Sequence, residues 1–311
     1  MPSYLVTGGA GFIGSQITQT LLKNEHRVRI LDNFSTGKLE NLSGFQGELE
    51  VIEGDLRNPT KVKKAVQNVD IIFHEAAFVS NPQSILEPRD CFDVNVTGTE
   101  NLLEEARLAG VKRIVIASSA AVYGNSSKTP LSEASTYQPL SPYAASKCVN
   151  EIFAGMYNRS FGIEVVVLRY FNVYGPRQNP DSEYAAAIPI FIRSLLSNQP
   201  IIIFGDGGQT RDLIFVGDVV SANLIAASHP DAPGQVFNVC TGIETSVLML
   251  VDTLRQSFPG SKLPEYSQPR IGDIYRSSGK PDRAKEILGF QPQTSLTNGL
   301  SQTIEWMRKC Q

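Results

Sequence analysis

Short apolar runs alternate with amphipathic stretches along the first half of the chain. YLV (4–6), RVRIL (27–31), ELEVI (48–52), DIIFH (70–74), RIVIA (113–117) and VVVLR (165–169) are rich in β-branched residues, and several lack polar–apolar alternation. Such runs are expected of parallel strands covered by helices on both faces. Stretches such as IGSQITQTLLKN and GTENLLEEARLAG separate them with helical patterning. Regular strand–helix alternation predicts an α/β fold built on a doubly wound parallel sheet. After about Tyr174 the pattern loosens. GPRQNPDS reads as a loop, IIIF, LIFV and QVFNV as further strands, and helices are expected around 216–228, 246–258 and 299–309. The expectation is a nucleotide-binding domain over 1–174, with a later contribution from about 210–240. A smaller, interleaved α/β substrate domain occupies mainly 175–311.

Composition changes this picture little. The 311 residues suffice for about two domains, and 28 Lys+Arg against 31 Asp+Glu give a net charge of −3. That balance offers no case for nucleic acid or an anionic membrane. No apolar run approaches the ~20 residues that span a bilayer. MPSYLVTGG has no basic segment followed by an apolar core, so no secretory signal is expected there. Four scattered cysteines show neither CxxC nor metal-ligand spacing, so no metal site is expected. A cytoplasmic location follows from these readings.

TGGAGFIG (7–14) follows the first strand and opens a helix, with Gly8, Gly11 and Gly14 at every third position. Glycine lets the backbone turn sharply and approach a pyrophosphate seated on the helix N-terminus. The second strand ends at Asp32, where a carboxylate accepts from adenosine ribose hydroxyls. Asn33 follows, with no arginine to meet a 2′-phosphate, which favours NAD over NADP. GDL (54–56) and HEAA (74–77) close the third and fourth strands, at the edge where open α/β sheets bind ligands. Asp55 is placed to reach the adenine amino group, and Ala76 and Ala77 leave room for the cofactor. His74 reads as a strand-end histidine satisfied by backbone.

Ser141 and Pro142 predict the start of a helix, as N-cap and first helical residue. Apolar residues at 144, 148, 152 and 156, and at 145, 149 and 153, mark the stripe expected to be buried. Tyr143 and Lys147 stand one helical turn apart on another line. A phenol with an ordinary pKa of about 10 is a poor base at neutral pH. A lysine ammonium beside it, with a nicotinamide cation near, moves it toward the working range. SSAAVYG (118–124) brings Ser118 and Ser119 to the neighbouring strand end, where a hydroxyl can bridge substrate and phenolate. Without the glycine loop, the tyrosine and lysine would read as the surface of an amphipathic helix.

TGGAGFIG, Asp32, SSAAVYG, YAASK and RYFNVYGPRQNP together resemble the extended short-chain dehydrogenase/reductases that act on nucleotide sugars. The nearest likeness is to UDP-glucose and UDP-N-acetylglucosamine 4-epimerases, and it spans nearly the whole chain. It implies a Rossmann-type sheet, tightly held NAD, and a homodimer through a four-helix bundle that includes the helices near 95–108 and 143–157. It implies cofactor contacts from Phe12, Ile13, Leu56, Asn95, Ser118 and Tyr170, beside Tyr143, Lys147 and the residues named above. On the substrate side it implies Ser80, Ser119, Tyr143, Asn172 and Ala187, the last within EYAAAIP (183–189). Arg211 and Arg270 would clamp the pyrophosphate of a UDP-sugar, a role that suits guanidinium geometry. Asp273 and Ser277 would line the sugar, a small residue at 277 leaving room for an acetamido group at C2.

Members of this group first oxidise C4 of the sugar. Those that dehydrate or decarboxylate carry acidic residues just after the strand-end hydroxyl, where this chain has Ala120 and Ala121. Methyl groups move no protons, so the expected cycle reduces the ketone again on its other face: 4-epimerisation of UDP-GlcNAc/UDP-GalNAc, with UDP-Glc/UDP-Gal also open. Tyr143 would be the base, with Ser119 as relay and Lys147 as support. The alternatives are a decarboxylase, a 4,6-dehydratase, a UDP-glucuronate 4-epimerase with Arg177 as the open carboxylate partner, or a non-catalytic NAD-binding regulator.

Overall fold

The structure is a computed structural model that describes residues 2–126, 128–179, 187–269 and 274–310. In chain order the first half runs β1 (Ser3–Thr7), α1 (Phe12–Lys23), β2 (Arg27–Asp32), β3 (Leu49–Glu53), α2 (Pro59–Ala65) and β4 (Ile71–His74). Two short helices, α3 (Asn81–Leu86) and α4 (Pro88–Phe92), lead through a π-helical turn at Asp93–Thr97 into α5 (Gly98–Ala109). Then come β5 (Arg113–Ser119), α6 (Pro142–Phe161), β6 (Glu164–Tyr170) and β7 (Asn172–Tyr174). The remainder contains α7 (Ala187–Leu196), β8 (Ile202–Phe204), β9 (Thr210–Phe215), α8 (Val216–Ser228), β10 (Val236–Val239) and β11 (Glu244–Ser246). It closes with α9 (Val247–Gln256), β12 (Glu265–Ser267), β13 (Arg276–Ser277), α10 (Asp282–Leu288) and α11 (Leu296–Lys309).

Seven strands form one parallel sheet in the order β10-β6-β5-β4-β1-β2-β3. Strand order reverses direction between β1 and β4, the switch point at which such sheets open a ligand cleft beyond their carboxyl ends. One sheet face buries Ile17 and Leu21 of α1 with Val219, Ala222 and Ala226 of α8. The other buries Val62 of α2, Leu102, Leu103 and Ala106 of α5, and Ala154 and Tyr157 of α6. Covering both faces explains why the strands read as unbroken apolar runs. A second core, from α7, α9 and α11 with Phe215 of β9, sits beside the sheet. There β9 pairs with β7, β11 and β13, so 210–215 belongs to the smaller sheet, while α8 and β10 return to the large one.

β5 ends in the two serines, as the sequence predicts: Ser118 and Ser119 continue in register with Arg169 and Tyr170 of β6. One local feature departs from the sequence expectation. Along α6 Ala144 and Cys148 are buried and Phe153 and Met156 pack against the core, as the apolar stripe predicts, but Ile152 is 58% exposed and the polar Ser146, Lys147, Asn150 and Glu151 are buried too. The reason is that Arg169 rises from β6 to meet Glu151, so the covered face includes a charge pair beside the apolar stripe.

The turn after β5 demands one particular glycine. Gly124 has φ +60, and a Cβ there would lie 1.9 Å from the Gln138 carbonyl oxygen. Gly110, at the end of α5, has φ +74 with open space around it. Gly110→Ala is therefore expected to cost about 1 kcal/mol for its conformation alone. Gly124→Ala should cost at least about 2 kcal/mol more, because backbone must also move. Urea unfolding of the two variants checks this; equal losses would show that the Gln138 contact imposes nothing.

Candidate active site

The glycine loop has the shape a dinucleotide requires. A Cβ on Gly14 would sit 2.2 Å from the Gly8 carbonyl oxygen, and Gly8 itself has φ +67. No side chain caps α1 at Gly11, and its first turn holds no acidic residue. Unclaimed N–H groups at a helix start suit an anion. At the end of β2 the buried Asp32 carboxylate accepts from Ala10 N at 2.9 Å and Phe34 N at 2.8 Å, which fixes it beside the loop. Phe12 and Ile13 open α1, and Leu56 is buried against Gly98 at the head of α5. Ala76 and Ala77 follow β4 with small, partly open side chains. These residues fit NAD.

The tyrosine, lysine and serine converge at the ends of β5 and α6. Ser141 Oγ accepts from Ala144 N at 3.1 Å, capping the helix as its sequence predicts. One turn on, Lys147 is 4% exposed and donates to the Ala117 carbonyl at 2.8 Å. Its Nζ stands 5.8 Å from the centre of the Tyr143 ring. The Ser119 hydroxyl faces Tyr143 and accepts from Ala121 N at 3.1 Å. Burial pushes the Lys147 ammonium down to about 8, with Glu75, Cys91 and Glu151 opposing. Burial also raises Tyr143 above the ordinary phenol value, with Ser119 opposing. The lowering of Tyr143 expected from Lys147 together with a nicotinamide cation is not produced by the protein groups alone: the ammonium turns to Ala117, and desolvation wins.

Several residues expected to face a ligand have side chains already committed. Ser118, 3% exposed, donates to Glu151 at 2.5 Å. Asn95 donates to Phe78 O and Ser146 Oγ and accepts from Phe78 N at 2.7 Å, tying the loop after β4 to α6. Ser80 caps α3, accepting from Gln83 N at 3.2 Å. Asp55 accepts from Arg57 and Asn33, and these bonds, the guanidinium's first, hold its carboxyl far below the usual range. An arginine two residues on thus holds this carboxylate at the strand end. His74 is satisfied by the hydroxyls of Thr7 and Thr99, at 2.8 and 2.9 Å, rather than by backbone. Burial keeps it neutral, lowered to about 3.

On the substrate side, one small sheet gathers three of the expected residues. Asn172 opens β7 opposite Leu213 of β9, and Ser277 of β13 pairs with Arg211 of β9. Asn172 Nδ2 donates to Asp212 O at 3.2 Å, and Arg211 donates to Thr210 O at 2.8 Å. Ala187 is the exposed first residue of α7. Arg270, Asp273 and residues 183–186 lie outside the described residues. Arg177 does not approach this sheet by its guanidinium: it donates to Gln19 at 2.9 Å and lies 5.2 Å over the Phe45 ring, docked on α1.

Sequence reasoning passed over a buried polar network behind the site. Arg169, on β6, pairs with Glu151 at 2.6 Å, their side chains 3% and 1% exposed. It also donates to the Tyr123 hydroxyl at 2.8 Å, and that hydroxyl donates to Asn238 at 2.6 Å. The signal was a lone arginine closing an otherwise apolar strand, VVVLR. Glu75 was passed over too, although an acid inside HEAA is out of place in a strand-end stretch. It accepts from the Tyr170 hydroxyl at 2.8 Å.

Residues 4–240 match the NAD dependent epimerase/dehydratase family. The chain belongs to that family, whose cofactor is NAD. Among individual proteins, a UDP-glucose 4-epimerase of Mycolicibacterium smegmatis is 41% identical over 308 residues, covering 98% of each chain. A UDP-N-acetylglucosamine 4-epimerase from Methanobrevibacter ruminantium, solved with UDP-N-acetylmuramic acid, superposes with a TM-score of 0.96 at 34% identity, over 100% of this chain and 99% of that one. A UDP-glucose 4-epimerase from Thermotoga maritima, solved with UDP-glucose, gives 0.94 at 37% identity over 99% of both.

The buried ion pair yields a stability prediction. Arg169→Met leaves Glu151 a buried, unpaired charge and should cost about 3–5 kcal/mol in urea unfolding. Adding Glu151→Leu should recover part of that loss. If the double variant is no better than the single, the cost of Arg169→Met comes from packing.

Proposed function

We propose that the protein is a NAD-dependent UDP-sugar 4-epimerase that interconverts UDP-GlcNAc and UDP-GalNAc and also accepts UDP-glucose and UDP-galactose. The observation that carries this reading is the cluster of Tyr143, Ser119 and Lys147, followed immediately by the methyl groups of Ala120 and Ala121. Tyr143 takes the C4 hydroxyl proton, directly or through Ser119, and returns it when the 4-keto sugar is reduced on its other face. Lys147, held on Ala117, orients the site. When bound, NAD supplies the hydride-accepting ring and a positive charge near the phenol. Ala120 and Ala121 carry no group able to move protons at C5 or C6, which disfavours dehydration and decarboxylation.

The UDP end is assigned to Asn172, Arg211 and Arg270, and the cofactor end to the glycine loop, Asp32 and the strand ends of residues 1–174. Arg177, engaged with α1, gives no support to a uronic acid substrate. The small Ser277 next to Arg211 supports an acetamido sugar. Self-association fits the exposed Leu108 of α5 and Ile152 and Phe161 of α6, on the helices expected to form a homodimer. A non-catalytic role would leave the tyrosine–lysine pair without purpose.

Two variants test the reading. Tyr143→Phe should lower kcat by about 10²–10⁴ while bound NAD, measured after protein precipitation, stays unchanged; near-normal turnover would remove Tyr143 from the chemistry. Ser277→Tyr should abolish turnover of UDP-GlcNAc and spare that of UDP-glucose. Equal losses on both sugars would place the size limit elsewhere.

A further inference from the structure

The first turn of α6 carries Tyr143, and its backbone donors can be accounted for one by one. An α-helix leaves its first N–H groups without partners inside the helix. Here Pro142 has none, Ala144 N donates to Ser141 Oγ at 3.1 Å, and Ala145 N donates to the Ser141 carbonyl at 2.9 Å. The remaining donor of the turn is Tyr143 N, and it is met from another helix: it donates to Ser84 Oγ of α3 at 3.2 Å. Ser84 is fully buried, and its own hydroxyl proton goes to Asn81 O at 2.7 Å. With that proton committed, the oxygen can only accept from α6. A second bond joins α3 to the same turn, Ser141 Oγ donating to Asn81 Oδ1 at 2.6 Å. The Tyr143 carbonyl is held too. It accepts from Ser146 Oγ at 2.7 Å, and Ser146 Oγ accepts from Asn95 Nδ2 at 2.9 Å, both side chains being buried. Buried polar side chains of α3, α6 and the π-helical turn thus hold the main chain of one residue at both its polar groups.

We propose that Ser84 is a positioning residue for the base: by accepting the Tyr143 N–H it fixes the first turn of α6 and so sets how the phenol stands toward Ser119 and C4 of the sugar. This deepens the epimerase reading and rests on it for its kinetic consequence. Proton transfer needs its heavy atoms within hydrogen-bond reach, and a small displacement of a positioned group costs a large factor in rate. Without the Ser84 oxygen a buried N–H is left unsatisfied, and the helix start must shift to relieve it.

Ser84→Ala removes the acceptor. In the NAD-loaded enzyme it should lower kcat about tenfold, with KM for UDP-GlcNAc changed less than roughly twofold. Bound NAD should stay at the wild-type amount. Ser84→Cys, close in size but a weaker acceptor, should lose less, and it carries the same comparison if Ser84→Ala does not fold. On a Tyr143→Phe background, Ser84→Ala should lower the residual turnover no further, whereas a residue that only supports the fold would cost the same factor on both backgrounds. A second readout needs no turnover: the Tyr143 amide should exchange its hydrogen at least about tenfold faster in Ser84→Ala than in the wild type. Unchanged kcat, loss of bound NAD, or an equal loss on the Tyr143→Phe background overturns the proposal. If the wild type turns over no UDP-sugar, the function proposed above fails, and amide exchange still decides: a rate equal to the wild type's overturns the role of Ser84 in holding α6.

Discussion

A lysine ammonium, 4% exposed, at the edge of a parallel sheet is the constraint around which the site is organised. Burial works against its charge, so something must hold it. Its direct partner is the Ala117 carbonyl, available because β5 is pinned between β4 and β6. The helix that carries it is fixed at both ends of the relevant stretch. Ser141 caps its start, and Glu151, one turn past Lys147, is locked to Arg169 of β6. Asn95 adds a third restraint, joining Phe78 to Ser146 next to the lysine. The seven-stranded sheet therefore does more than support the cleft: its β5–β6 edge determines where Lys147 and Tyr143 can stand.

The large sheet was legible because parallel strands covered on both faces must be apolar throughout, and RIVIA and VVVLR meet that demand. The glycine loop and the Ser141–Pro142 helix start were legible because each follows from backbone geometry over a few residues. What the sequence hid depends on competition between side chains distant along it. Glu75 meets Tyr170 95 residues away, and Ser118 meets Glu151 33 residues away. A local partner was hidden as well: Arg57, two residues on, binds the Asp55 carboxylate. Along α6 apolar periodicity found Ala144 and Cys148 but not the buried Lys147 and Glu151, whose partners lie on β5 and β6, and it misplaced Ile152.

The spacing of Tyr143 and Lys147 correctly implied proximity but not its electrostatic result. Four residues apart on a helix, the two side chains come within 5.8 Å of ring centre to Nζ, yet the ammonium is directed to a carbonyl and burial dominates the phenol. A base at neutral pH then requires further positive charge beside the ring, which is where a nicotinamide cation belongs in this family's chemistry. Tuning of the tyrosine is thus a property of the loaded site, whereas placement of the lysine is a property of the fold alone.

Epimerases and dehydratases share this fold, so the choice of reaction falls to a few side chains, and in the proposed epimerase to the methyl groups at 120 and 121. The most direct test is to incubate the purified protein with UDP-GlcNAc in D2O, without added cofactor, and follow the sugar by proton NMR. Return of the same hydrogen to C4 predicts UDP-GalNAc that retains protium at both C4 and C5. Deuterium at C5, or a product that has lost water, would contradict the account.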